Sequence, residues 1–408
     1  MPSPTITDAP PTRSLAKARP RAVLYATSAG LGGSGLDTTS LEGVLASYRS
    51  GILRRAICYP VRQREMDRGR IKSLQRSPAR LFSCLGSKDY YAAKKRYLDW
   101  VTSRQLRRGG YDFFHGWAGE SFRTLVEARL RRIPSVLDVA TWHRNKGVQK
   151  PAETRSEREA RQKDRGWRDW RQHLAWTRLE QLAEYDLTTL LLMPSRKSEE
   201  TFLAAGISAD KLHYVGRGVD VQRYHPVPPP STFRVAFTGA LIKRKGVHHL
   251  LEAWKRLALA DAELVLIGTL HEELKPYLEG LPSNVRLAGF TPKVVEELQR
   301  SAAFVFPSEC EGFAKATLEA AACGLPLIAT RESGDAIVEG QTGRVIPPND
   351  PEALADALRY CHSHRNDIRA WGAQGREWVE SRFTWDHYRA RILEGYEKAL
   401  TRSVSEHG

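Results

Sequence analysis

The chain has 408 residues and carries 63 Lys and Arg against 47 Asp and Glu, a formal charge of +16. That length is more than one hydrophobic core usually organises, so two domains are expected, and the basic excess points to polyanionic company: nucleic acid, anionic lipid or phosphorylated small molecules. No run of roughly 18 uncharged apolar residues exists, which excludes a membrane-spanning helix, and the first twenty residues lack the apolar stretch of a secretory signal.

Residues 1–20, with five prolines, read as a mobile tail. Arg21–Thr27 is a short apolar strand leading into the Gly-rich Ser28–Gly35, with a helix over Leu41–Tyr48. Strand, glycine loop and helix open a nucleotide-binding type of α/β unit, although neither a full GxGxxG nor a Walker lysine is present. Arg54–Arg80 holds nine basic residues with Tyr59, Ile71 and Leu74 between them. It reads either as a solvated helix face or as a patch that rests on an anionic membrane. Tyr111–His115 and Ser135–Ala140 are strands, each running into a segment with a histidine, His115 and His143. Trp167, Trp170 and Trp176 sit at helical spacing in a charged stretch and predict an amphipathic helix. Leu187–Pro194 and Lys211–Gly216 are further strands.

His225–Ser231, with four prolines in seven residues, is the clearest linker. After it, strands at Arg234–Thr238, Glu263–Ile267, Asn284–Ala288, Ala303–Phe306, Leu325–Ala329 and Arg344–Ile346 alternate with helices. Short apolar strands alternating with helices indicate parallel sheets covered on both faces, with ligands beyond the strands' carboxyl ends. The expected division is a tail over 1–20, a first α/β domain over 21–228 and a second over 229–385. A terminal helix over 386–408 is expected to pack back toward the first domain. The cysteines, Cys58, Cys84, Cys310, Cys323 and Cys361, show no CxxC spacing. They read as free thiols in a reducing compartment, so a cytoplasmic location is expected.

Two constellations can carry chemistry. Gly239–Gly246 (GALIKRKG) lies between a strand and a helix, so Lys243, Arg244 and Lys245 crowd a strand end beside a helix N-terminus, as a pyrophosphate site requires. A basic surface turn would look the same in isolation. Phe306–Gly324 (FPSECEGFAKATLEAAACG) places Glu311 in a loop and Glu319 in the following helix. Two carboxylates can accept bonds from sugar hydroxyls, while the amides of Phe313, Ala314, Lys315 and Ala316 face a phosphate between those sugars. Together the two segments match the demands of a nucleotide-diphosphate sugar.

The stretch Glu311–Pro326, E-G-F-A-K-A-T-L-E-A-A-A-C-G-L-P, resembles the Glu, seven residues, Glu motif of retaining GT-B glycosyltransferases of family 4, the group 1 domain. Further family features recur in order: Gly218–Asp220, Gly239–Gly246, Pro307–Ser308, Gly340–Pro347 and Phe383–Trp385 with Tyr388. The resemblance is dense over about 185–390 and looser before it. It implies the GT-B fold, two Rossmann-like doubly wound domains facing a cleft, and a metal-independent hexosyl transfer with retention, without a cofactor beyond the donor. It implies catalytic roles for His143, Glu311 and Lys245. Donor binding would fall to Gly33, Arg244, Lys245, Glu311, Phe313, Ala314, Lys315, Ala316 and Glu319, with Glu319 on the ribose. The implied partners are a nucleotide sugar and a glycan or lipid-linked saccharide acceptor of polysaccharide or glycoconjugate synthesis; the basic first half of the chain adds an anionic membrane surface at the inner face to the expected partners.

The chain departs from the pattern at Ala240, where the family often has Arg, which leaves Arg244 to supply that cation. It departs again at Ala314, where the usual residue is Gly, a change that requires a negative φ. A non-enzymatic nucleic-acid-binding protein is the reading from another class, but no recognised binding signature supports it. A GT-B isomerase or phosphorylase is a third reading, and no lysine context suggests a pyridoxal cofactor.

Overall fold

The computed structural model describes residues 19–85, 87–145 and 178–405. The tryptophan-bearing segment and most of the N-terminal tail lie outside them. Two all-parallel sheets organise the chain. The first holds β1 (Val23–Ala26), β2 (Leu53–Cys58), β3 (Ile71–Ser73), β4 (Phe113–Trp117), β5 (Ser135–Asp138), β6 (Leu190–Met193) and β7 (Leu212–Tyr214), in the order β3-β2-β1-β4-β5-β6-β7. The second holds β8 (Phe233–Thr238), β9 (Ala262–Ile267), β10 (Val285–Gly289), β11 (Ala303–Phe306), β12 (Leu327–Ala329) and β13 (Gly343–Val345), in the order β10-β9-β8-β11-β12-β13.

Most of the strands are short and largely apolar. Both faces are covered by helices, so β1, β4, β5, β6, β8, β11 and β12 have every residue buried. The Val247–Leu257 helix turns Leu250, Leu251 and Trp254 to the second sheet and ends on Lys255 and Arg256, which complement its dipole. Asp350 caps the Pro351–Ser363 helix through the amides of Glu352 and Ala353, at 3.1 and 2.9 Å, a bond set worth about 1 kcal/mol.

The basic stretch Arg54–Arg80 is not a helix face. It contributes β2 and β3, and Tyr59 and Leu74 are buried in the core. Arg54 lies over the Tyr111 ring at 5.7 Å, so its stem packs while its charge reaches water. Among the described residues, no helix is long and apolar enough to cross a membrane. Cys58, Cys310, Cys323 and Cys361 are free thiols.

The sheet order reverses between β1 and β4 and again between β8 and β11, which opens a crevice at the strands' carboxyl ends in each domain. The chain crosses between domains twice. The first crossing is His225–Ser231, which has neither helix nor strand. The second follows the Arg365–Arg382 helix, after which the Trp385–Ser405 helix returns to the first domain. There Tyr388, Ile392 and Tyr396 pack on Val23, Phe113, Val136 and Leu190, each large side chain contributing about 2 kcal/mol of burial. Near the crossings, the Val219 amide donates to the Phe383 carbonyl at 2.8 Å.

Candidate functional site

Three loops meet where the two crevices face each other. After β8, the turn Lys243–Lys245 ends on Gly246, whose φ of 69° favours glycine. A Cβ at Gly246 would also overlap the Pro307 carbonyl of the loop after β11, so the two loops are in backbone contact. That contact is stitched by two bonds to the Arg244 carbonyl, from the Glu309 amide at 2.9 Å and the Ser308 hydroxyl at 3.1 Å.

The side chains then converge. Arg244 Nη1 donates to Glu311 Oε1 at 2.9 Å and to the Cys310 carbonyl. Lys245 Nζ lies 3.8 Å from the same Glu311 oxygen and 5.0 Å from the centre of the Phe306 ring. Burial pushes the Lys245 ammonium below the usual lysine range, opposed by the Glu311 charge and reinforced by Arg244. Two cations thus share one carboxylate at the end of two central strands, an excess of positive charge beside a helix N-terminus.

That helix spans Lys315–Ala322, with Ala314 as its N-cap. Ala314 has φ −77°, so the methyl group is accommodated without strain. Its own amide donates to the Ser333 carbonyl at 2.8 Å and is committed there. The amides left by position to face a ligand are those of Lys315 and Ala316, in the first turn. Phe313 is buried against Phe383, with ring centres 5.7 Å apart, so its side chain serves packing.

Glu319 sits one turn further along. Burial raises its carboxyl, opposed by the charges of Lys315 and Arg223 and by a hydrogen bond with Tyr224. Lys315 reaches in the other direction: its Nζ approaches the Gly35 carbonyl at 3.4 Å and the Trp385 ring at 5.2 Å. Lys315 therefore bridges the crevice to the glycine loop of the first domain.

In the first domain, Glu120 holds that loop. Its carboxylate accepts the Ser28 amide at 2.8 Å and the Ser28 hydroxyl, and burial raises its pKa. Asp37 accepts the Gly30 amide at 2.8 Å. Gly33, with φ 138°, lies beside Arg62 and Asp37. Opposite, Gly312 presses on the segment after β5, where a Cβ would overlap the Ala140 carbonyl. This brings the Glu311–Gly312 turn to within three residues of His143. His143 itself is buried between Tyr185 and Phe202, at 5.2 and 5.0 Å, and its Nδ1 accepts the Asn145 amide at 3.2 Å.

Sequence reasoning missed Asp138. It is fully buried at the end of β5 and receives Arg217 Nη1 at 3.3 Å and the Tyr388 hydroxyl at 3.2 Å, with His115 Nε2 at 3.4 Å. His115 Nδ1 in turn meets the Tyr396 hydroxyl at 2.7 Å. The only sequence signal was an aspartate interrupting an apolar strand.

Comparisons with known proteins bear on the fold. The HepE protein of Anabaena, solved in complex with UDP, superposes with a TM-score of 0.63 at 16% identity, over 92% of this chain and 98% of that one. Sucrose-phosphate synthase from Thermosynechococcus elongatus superposes with a TM-score of 0.66 at 17% identity, over 93% of this chain and 99% of that one. The fold is GT-B. Its second GT-B domain matches, over residues 232–364, the family profile described as "Glycosyl transferases group 1".

Among curated proteins, the alpha-maltose-1-phosphate synthase of Mycolicibacterium smegmatis is 29% identical over 47% of this chain and 58% of its own length. The MMP alpha-(1->4)-mannosyltransferase of Mycolicibacterium hassiacum is 30% identical over 52% of this chain and 54% of its own length. A GDP-mannose-dependent alpha-(1-6)-phosphatidylinositol monomannoside mannosyltransferase of Mycobacterium tuberculosis is 28% identical over 51% of this chain and 62% of its own length. The chain thus spans a little over half the length of these relatives.

Proposed function

We propose that the chain is a glycosyltransferase that moves a hexose from a nucleotide-diphosphate sugar to a glycan or lipid-linked acceptor, with retention of anomeric configuration. The observation that carries it is the cluster of Arg244, Lys245 and Glu311 at the carboxyl ends of β8 and β11. It lies beside the open first turn of the Lys315–Ala322 helix and faces the first domain's glycine loop. As the bond from the anomeric carbon to the diphosphate breaks, negative charge grows on the leaving phosphate. A partly buried ammonium and two helix amides, already in place, stabilise that charge more than the ground state. Side-chain cations, rather than a metal, meet the diphosphate in this reading.

Glu319, with Tyr224 beside it, is placed to accept ribose hydroxyls, and Glu311 orients the two cations while facing the sugar. His143 belongs to the acceptor-side wall, next to the Ala140–Gly312 contact. Because one GT-B neighbour holds UDP and several relatives are GDP-mannose-dependent, UDP and GDP sugars are the first donors to test.

The test is a thermal-shift panel of UDP, GDP and ADP with their glucose and mannose derivatives. A matched nucleotide at 100 times its Kd stabilises by about 2.7 kcal/mol. If none of the nucleotides shifts the transition, the reading fails. Proton NMR of fresh product would report the anomer, and inversion would remove the retaining assignment. Sedimentation with anionic vesicles at low salt tests the membrane clause, which fails if neutral vesicles carry down as much protein.

A further inference from the structure

The Val247–Leu257 helix begins with two adjacent histidines that the donor site does not use. One ring nitrogen each from His248 and His249 and one carboxylate oxygen of Glu309 all lie within 4.8 Å of one another. Glu309 belongs to the loop after β11, so the three come from both segments that build the diphosphate site. We propose that His248, His249 and Glu309 bind a divalent metal ion of the zinc class.

The hydrogen bonding around the rings supports that assignment. His249 Nε2 meets Asn349 Oδ1 at 3.2 Å. An amide oxygen only accepts, so the His249 proton resides on Nε2, and Nδ1 presents a lone pair. That Nδ1 is shielded from solvent and has no hydrogen-bond partner among the described residues. His248 Nδ1 is in the same condition. A shielded nitrogen lone pair without a donor is costly, and a metal ion satisfies it. Fixing a ligand histidine's tautomer through its other nitrogen is also how metal sites orient imidazoles.

The charges are compatible. Glu309 makes no ion pair among the described residues. Lys243 turns toward the Tyr277 ring, 5.0 Å away, and Arg244 toward Glu311. Two imidazoles and a carboxylate form a zinc-type donor set that leaves a fourth position for water. Ligand bonds of about 2 Å put neighbouring donors about 3.3 Å apart, so the side chains close by up to about 1.5 Å on binding. Because the Glu309 amide holds the Arg244 carbonyl, the ion would clip together the two loops that carry Lys245 and Glu311. The proposal does not depend on the transferase reading, since neither Lys245 nor Glu311 is among its three ligands.

The experiment is titration of the chelator-treated full-length protein with Co²⁺, followed by its visible absorption and then by Zn²⁺ competition. Wild type should take up one equivalent with the strong bands of a tetrahedral site, displaced by Zn²⁺. Glu309→Gln and His249→Ala should each weaken binding by at least about 100-fold, and Asn349→Ala by about tenfold. Unchanged affinity and spectrum in Glu309→Gln and His249→Ala, or no tetrahedral spectrum in wild type, overturns the proposal. Glu309→Gln is isosteric and Glu309 is only partly buried, so it carries the test alone if a histidine variant does not fold. Nucleotide affinity measured on the same variants separates this site from the donor site.

Discussion

The two walls of the crevice are built on different principles. On the second domain's side, the functional groups come from two short segments, Lys243–Gly246 and Ser308–Glu319, and are tied by neighbouring backbone atoms. On the first domain's side, buried carboxylates hold the wall, and their partners are far apart in sequence. Asp138 collects Arg217 and Tyr388, and Glu120 holds Ser28. Glu184 accepts the amides of Gly119 and of Ser121, the latter at 2.7 Å. The second domain's wall is a local motif that carries charge for a ligand. The first domain's wall is a long-range polar frame that carries shape. Variants should separate into those that cost turnover and those that cost folding.

Asp138→Ala should cost most. It leaves the buried Arg217 guanidinium without its carboxylate, and losing one member of a buried pair is worth about 3–5 kcal/mol. Urea denaturation would measure it, and a loss under 1 kcal/mol would dissolve the idea of a carboxylate frame. Lys245→Ala should do the reverse. Turnover should fall about 10²–10³-fold, as for loss of one charge-stabilising group, with the denaturation midpoint unchanged. A wild-type rate in that variant would end the phosphate assignment.

Gly312→Ala tests the contact between the walls. Its methyl group would push against the Ala140 carbonyl, at about 1–3 kcal/mol of overpacking, and should slow catalysis with little change in donor affinity. Equal kcat in the variant would show that the crevice does not need that approach. Arg244→Ala should weaken nucleotide binding about tenfold, or roughly 1.4 kcal/mol, because its guanidinium is half-exposed and screened. Full affinity would mean that Arg244 does not replace the arginine missing at Ala240.

A pH series addresses the frame through Glu184. Burial raises Glu184 from 4.5 to about 8, against its two amide donors. The native state then holds a proton that the unfolded chain has already released between those values. The stabilisation is complete below about pH 4.5, declines as pH rises, and is gone once pH passes 8. Urea midpoints should drift downward from pH 5 to 9, and Glu184→Gln should flatten that drift. An identical slope in the variant would assign it to other groups.

The same contrast explains what the sequence made legible. Strands such as LLLM and AFVF announce themselves because a parallel strand covered on both faces is a near-continuous apolar run. The two glutamates and the basic turn were legible because their geometry is local: strand, loop and helix fix where each side chain points. β2 was hidden because LRRAIC carries Arg54 and Arg55, and only the fold reveals Tyr111 beneath the first of them. Asp138 was hidden for a related reason. Its partners Arg217 and Tyr388 lie 79 and 250 residues away, and no spacing rule connects them. The commitment of the Ala314 amide to Ser333 likewise depends on a loop outside the motif.

The bond between Val219 and Phe383 ties together the outgoing and returning strands of the chain close to where each changes domain. Gly218 lies against Trp385 at the same place, with no room for a side chain. The second lobe is therefore an insert between two crossings that are bonded to each other, and it also meets the first lobe at Asp335, which accepts the Tyr214 hydroxyl at 2.8 Å. Cutting the proline connector would leave it attached through the returning crossing.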